Sequence, residues 1–223
     1  MHFKITKPYI VIFLFIPGCW FIGQGLYIES KAIVAQQLLE HAWKNVKAGD
    51  TRSKPWPWAD TWPIARLTVP RLNIDLIVLA GDSGRTLAFG PGHNFASSTP
   101  GKKGNSLISA HRDTHFNFLQ YLQPGDNIFI ETAQSENTIY KVTSSKIVNM
   151  DNARFIDDQS SSYVHLVTCY PFDSIIPGGS QRFIVSARAQ SKLGYTHLHK
   201  PFIKKSLENA NFIKSILNHK VAF

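Results

Sequence analysis

The rhythm of apolar and polar positions changes three times along this chain. From Pro8 to Ile28 the run PYIVIFLFIPGCWFIGQGLYI holds 21 positions without a charge. At about 1.5 Å per residue a helix of that length reaches roughly 30 Å, the thickness of a bilayer core. Residues 29 to 48 keep a helical texture, with Ile33, Gln37, Leu38 and Leu39 among polar neighbours, and predict a stalk leaving that span. Three prolines and three tryptophans in residues 49 to 63, GDTRSKPWPWADTWP, rule out further helix. It reads either as a stiff spacer at the lipid interface or as a strap, and since three indoles left in water would make an unusual exposed patch, it is expected to pack its tryptophans onto the domain that follows.

From Ile64 the pattern is that of strands. The candidates are Ala65 to Val69, Leu72 to Leu79, Ser106 to Ala110, Asn127 to Thr132, Thr138 to Val148, Val164 to Cys169 and Arg182 to Arg188. Phe116 to Leu122 is the main helical interruption, ended by Pro124, Gly125 and Asp126. Short β runs between Gly, Pro and Asn turns predict a mainly β domain over residues 64 to 190, a closed or nearly closed barrel. In the tail, residues 191 to 223, Ile203, Leu207, Ala210, Ile213 and Leu217 recur at three or four positions beside Lys200, Lys204, Lys205 and Lys214. That pattern fits a basic amphipathic helix on anionic lipid, and equally a helix packed on the barrel or a frayed extension.

Charge narrows the class of partner. The 223 residues carry 24 basic and 15 acidic side chains, a net +9. Such an excess suits nucleic acid or an anionic membrane surface. With no zinc-finger spacing, P-loop or RNP-like aromatic motif, no nucleic-acid partner is expected. Lys4 and Lys7 precede the apolar run and favour a cytoplasmic N-terminus with the remainder exported, although Lys31 and Lys44 beyond it reduce the asymmetry. Trp20 and Tyr27 suit an interfacial position. The run is long for a cleaved signal peptide and no small-x-small site follows it. Residues 1 to 28 are therefore expected to be a single-pass signal anchor in the cytoplasmic membrane, with the β domain on the extracytoplasmic side.

That topology gives the two cysteines different meanings. Cys19 lies in the apolar run and reads as a small filler. Cys169 then has no disulfide partner in an oxidising compartment, which leaves an intermolecular crosslink, a reactive thiol, or a cysteine buried and inert on its strand. It ends the run YVHLVTC. Thirteen positions on, across a loop rich in Gly, Pro and Ser, Arg182 opens a second run. Neighbouring antiparallel strands would let the two face one another, where a guanidinium favours the thiolate and can hold a developing oxyanion. Upstream, in NSLISAHRDTHF, an apolar run ends on Ala110 and delivers His111 into a polar turn. A cysteine, a histidine and an arginine at strand ends make a thiolate site with a general acid/base.

With these residues the chain resembles the sortase family of membrane-anchored cysteine transpeptidases. The resemblance rests on LVTC, on HRDT and on an arginine starting the next strand, in that order, and on the stretch GPGHNFASSTPGKKGNSLISAHRDTHFNFLQYLQPGD around the histidine. It covers about residues 60 to 190, and its flavour is that of the type found in marine Gram-negative proteobacteria. Ala110 stands where many relatives have glycine, which crowds the backbone slightly. The resemblance implies an eight-stranded sortase barrel with Cys169 as nucleophile, His111 as general acid/base and Arg182 as oxyanion or substrate stabiliser. It also implies Thr168 and Ala110 at the substrate, and an exported substrate with an LPxTG-like C-terminal sorting signal. Cleavage between Thr and Gly would leave a thioester, resolved by an amine acceptor or, wastefully, by water. The loops Asn149 to Ser162 and Phe172 to Gln181 would border the sorting signal and the path of the amine.

Other readings compete at several positions. Thr168 is also an ordinary β-prone strand residue. Asp113 could orient the imidazole, or cap the following helix. His93, His115 and His165 read as surface or packing histidines, and no pair of them with a carboxylate makes a metal site, so no metal or other cofactor is expected. For the whole chain, the rivals are a membrane-anchored barrel that kept the fold without the chemistry, and an L,D-transpeptidase. The latter places its arginine close behind the cysteine rather than thirteen residues on.

Overall fold

The computed structural model describes residues 7–134, 137–150, 162–174 and 178–190, with side chains from position 13 onward, residue 29 excepted. The tail from 191 to 223, much of the expected loop from 149 to 162 and part of the loop from 172 to 181 therefore lie outside the described residues.

The run expected to span a membrane and the stalk expected to leave it are one helix, α1 (Lys7–Lys47), with Pro17 inside it. No break is needed at residue 29, because 29 to 47 contain neither proline nor glycine. From Phe13 to Ile28 its large apolar side chains are exposed, Phe13 at 77% and Phe21 at 74%. Among the described residues no helix is long and apolar enough to cross a membrane. The first five positions of the charge-free stretch, 8 to 12, precede the residues whose side chains are described. Further along, Ala35, Leu39, Ala42, Trp43 and Val46 are buried, a spacing of three and four that marks one helix face.

Eight strands close into a barrel: β1 (Pro63–Val69), β2 (Ile74–Ala80), β3 (Gly92–His93), β4 (Gly104–Ser109), β5 (Asn127–Thr132), β6 (Thr138–Asn149), β7 (Ser162–Cys169) and β8 (Gln181–Ala189). The order around it is β1-β2-β3-β4-β7-β8-β6-β5. Alternation on four of the strands builds much of the core. Ala65, Leu67 and Val69 of β1 are fully buried, as are Ile128 and Ile130 of β5, Val164 and Leu166 of β7, and Val185 and Ala187 of β8. Phe116 and Leu119 plug the interior from the segment after β4. That segment is a 3-10 helix over Asn117–Tyr121 rather than an α-helix over 116 to 122. It stops at the Pro124-Gly125 turn, where Gly125 takes φ +99°, a conformation other residues rarely adopt.

Helix and strap both dock on this barrel. Leu39, Trp43 and Val46 pack with Ile77 and Leu79 of β2 and with Phe89. Arg66 grips Asp75 through two bonds of 2.7 Å and reaches Glu40 of the helix at 3.3 Å. Two of the three strap tryptophans pack as expected, Trp56 edge-on to Phe89 at 4.8 Å and Trp62 beside Phe95 at 6.4 Å. Trp58 does not, and is 82% exposed. Buried Thr61 donates to the Ala80 carbonyl at 2.7 Å, fixing the strap to the end of β2.

Candidate active site

Three adjacent strands carry the candidate residues to one level of the barrel. β7 and β8 run antiparallel, and their register sets Cys169 directly opposite Arg182. Directly opposed residues put their side chains on the same face. Alternation along β7 turns Val164, Leu166 and Thr168 inward, so Cys169 belongs to the outer row with Tyr163, His165 and Val167. On the other flank β4 runs parallel to β7, with Ser109 level with Val167. The Ala110 amide continues that ladder by donating to the Val167 carbonyl at 3.2 Å. Two positions beyond the last paired residues stand His111 and Cys169. Neighbouring strands lie about 4.8 Å apart. Cys169 is thus central, with a histidine approaching from one side and an arginine from the other.

Their surroundings differ. His111 is exposed, while Cys169 and Arg182 are half-buried. Nη1 of Arg182 donates to the carbonyls of Gly179 and Gln181, the latter at 2.9 Å, so the loop ahead of β8 holds the guanidinium. Tyr170, Phe172 and Phe183 form an aromatic cluster just beyond the thiol, with the Phe172 and Phe183 rings 5.3 Å apart. The Tyr170-Pro171 peptide bond within it is cis.

Thr168 and Ala110 lie beneath this surface, 2% and 5% exposed. The Thr168 hydroxyl donates to the Ala110 carbonyl at 2.8 Å. Asp113 is exposed. The 3-10 helix after it takes no side-chain cap at its N-terminus, so that capping role is not filled.

His93, His115 and His165 have packing surroundings. His93 is buried, with Nε2 3.1 Å from the Ser98 carbonyl, and burial holds its pKa below 6.5 against that bond. His165 is likewise lowered by burial and meets the Ser186 hydroxyl at 2.9 Å. His115 is lowered first by burial and then by the charge of nearby His111. It lines a cavity of about 430 Å³ with Leu72, Ile74, Leu76, Phe118 and Tyr121. Among the described residues no cluster of His, Cys, Asp or Glu could hold a metal ion.

Among the described residues, one buried cationic side chain was not foreseen. Arg112, next to His111, is 9% exposed and donates to the carbonyls of Pro171, at 2.8 Å, and Ser174. The signal was available in the sequence: if the alternation of β4 runs on through Ala110 and His111, position 112 points inward.

The chain can also be set beside known proteins. The family profile described as the sortase domain matches residues 67–190. The chain is similar to Sortase D of Bacillus subtilis (strain 168), 32% identical over 120 residues, which are 53% of this chain and 60% of that protein. It thus spans somewhat less than two thirds of that relative. Among solved structures, a Clostridium perfringens Sortase D5 transpeptidase shares the fold at 20% identity with a TM-score of 0.58, over 71% of this chain and 99% of that one. Sortase C-1 from Actinomyces oris matches at 27% identity with a TM-score of 0.50, over 58% and 75% of the two chains.

Proposed function

This chain belongs to the sortase family, and we propose that it is a membrane-anchored cysteine transpeptidase acting on an exported protein with an LPxTG-like C-terminal sorting signal. The observation that carries the reading is the outer row in which Cys169 is flanked by Arg182 through the β7–β8 register and by His111 at the end of β4. Cys169 attacks the scissile carbonyl as a thiolate, and the oxyanion that forms faces the fixed positive charge of Arg182. His111 gives its proton to the departing amine as the carbon–nitrogen bond breaks, leaving a thioester on Cys169. An incoming amine then attacks, His111 takes its proton, and the thiolate leaves. Water in place of the amine gives hydrolysis. Ala110 and Thr168 underlie the floor on which the bound peptide would lie.

The anchor rests on residues 8 to 28, which lack charge, and on the exposed apolar side chains of α1 from Phe13 to Ile28. A helix apolar on all sides is suited to lipid rather than water. Lys4 and Lys7 ahead of the span support a cytoplasmic N-terminus with the barrel outside, against the weaker counterweight of Lys31 and Lys44 beyond it.

The test uses the whole chain in detergent, since residues 35 to 46 of α1 pack on the barrel. It is incubated with an LPxTG-type peptide and a small amine, and Cys169 is examined by mass spectrometry. An adduct released by hydroxylamine and abolished by Cys169→Ala is expected, with large losses for His111→Ala and Arg182→Ala. Folded, reduced protein that forms no adduct with any sorting-signal peptide would overturn the reading in favour of a silent scaffold.

A further inference from the structure

The segment after β4 keeps alternating: Ala110 is buried, His111 exposed and Arg112 buried again. Burying a guanidinium costs several kcal/mol unless its donors are filled, so a buried arginine beside an exposed histidine needs a reason. Its bonds supply one. Nη1 and Nη2 of Arg112 reach two different carbonyls, Pro171 and Ser174, both in the segment that follows Cys169. On the other side of His111, the Ala110 carbonyl accepts from Thr168, the residue before Cys169. Both neighbours of the histidine are thereby tied to the chain on either side of the cysteine.

We propose that Arg112 is a positioning residue for the transfer reaction, holding His111 level with Cys169 so that its imidazole reaches the departing amine. This rests on the transpeptidase reading above. Arginine suits the place because its planar fork spans two separate acceptors, whereas lysine offers a single nitrogen on a flexible stem. A displacement of about 1 Å at such a group costs about 100-fold in rate. The effect falls on proton delivery. The thiol itself stays on β7, whose register with β8 does not involve Arg112.

That separation gives a test. Single-turnover acylation of Cys169 is measured with a sorting-signal peptide and with the same peptide carrying a thioester in place of the scissile amide. A thiolate departs without a proton, so the second substrate does not need His111. Arg112→Ala should slow the amide substrate about 100-fold and the thioester about twofold or less, matching the pattern of His111→Ala. If alanine lowers the melting point below the assay temperature, Arg112→Lys takes its place and should show the same split. Equal losses on both substrates would mean a merely structural role, and loss on neither would mean no role; either overturns the proposal. Wild-type protein that acylates with neither substrate overturns the transpeptidase reading itself.

Discussion

Thr168→Val is the sharpest probe of how the site is held. It exchanges the hydroxyl that donates to the Ala110 carbonyl at 2.8 Å for a methyl of nearly the same shape. Both residues are almost fully buried, 2% and 5% exposed, so water does not readily replace the lost donor. A buried acceptor deprived of its partner costs about 1–3 kcal/mol. For a chain of this size each kcal/mol moves the melting midpoint by about 2–4 °C, which gives a fall of about 2–12 °C. Thr168→Ser keeps the hydroxyl and removes one methyl, a loss of about 1 kcal/mol. The two variants therefore separate bonding from packing. Thermal unfolding followed by circular dichroism gives the stabilities, and single-turnover acylation of Cys169 gives the consequence at the site. Serine should keep most of the acylation rate and valine should lose about tenfold or more, because the valine variant frees the strand end that carries His111. Valine indistinguishable from wild type in both measurements, or serine worse than valine in both, would refute the view that this bond sets the register.

Other parts of the fold make independent predictions. Leu39→Ala empties a fully buried position between α1 and β2 and should cost about 2–5 kcal/mol in urea denaturation of the whole chain in detergent; an unchanged midpoint would mean the helix does not dock. A methyl at Gly92 would stand 2.2 Å from the Gly81 carbonyl oxygen and 2.9 Å from the Asp82 Cα. Gly92→Ala should therefore cost about 3 kcal/mol or more. Gly84→Ala, with open space around it, should change the midpoint by less than about 1 kcal/mol. Burial holds His93, His115 and His165 below 6.5, so in the unfolded chain they take up protons first as pH falls. Their contribution is complete above 6.5 and is lost as pH drops from there through the lowered values. The melting midpoint should decline on that descent, and a flat profile would contradict it.

How much of this could be read in advance depended on how local each constraint is. The seven longer strands were legible because alternation is a property of neighbouring residues, and Asn127–Thr132 has the bounds expected for it. Cys169 opposite Arg182 was legible for a related reason, since both flank one loop and a hairpin sets their register. β3 was not, because Gly92–His93 is two residues long and owes its pairing to the parallel contact with β2. The parallel β4–β7 pairing, which brings His111 to the cysteine, joins segments more than fifty residues apart, and nothing in either strand announces its partner. Arg112 was missed because strand reasoning stopped at Ala110, the last apolar residue of that run. The strap divides the same way: composition foresaw indoles packing on the barrel, but only the contacts of Trp56 and Trp62, and the exposure of Trp58, distinguish which ones do.

The closed strand order also explains why α1 and the candidate site residues do not compete for surface. Counting around the ring in either direction, β7 lies four strands from β1. The helix packs on the β1–β2 wall, with its apolar face on Ile77 and Leu79, its Glu40 on Arg66 of β1, and Lys47 on Glu131 of β5 at 2.7 Å. The thiol therefore opens on the opposite side. Because α1 is continuous from the exposed apolar residues to Leu39, eleven residues beyond Ile28, the separation between them is a length of helix, about 16 Å, rather than a flexible linker. On the anchor reading, the docked face of α1 fixes which side of the barrel meets the bilayer's approach, and barrel closure then fixes where Cys169 points. The same pairing that gives the site its register thus gives it its orientation.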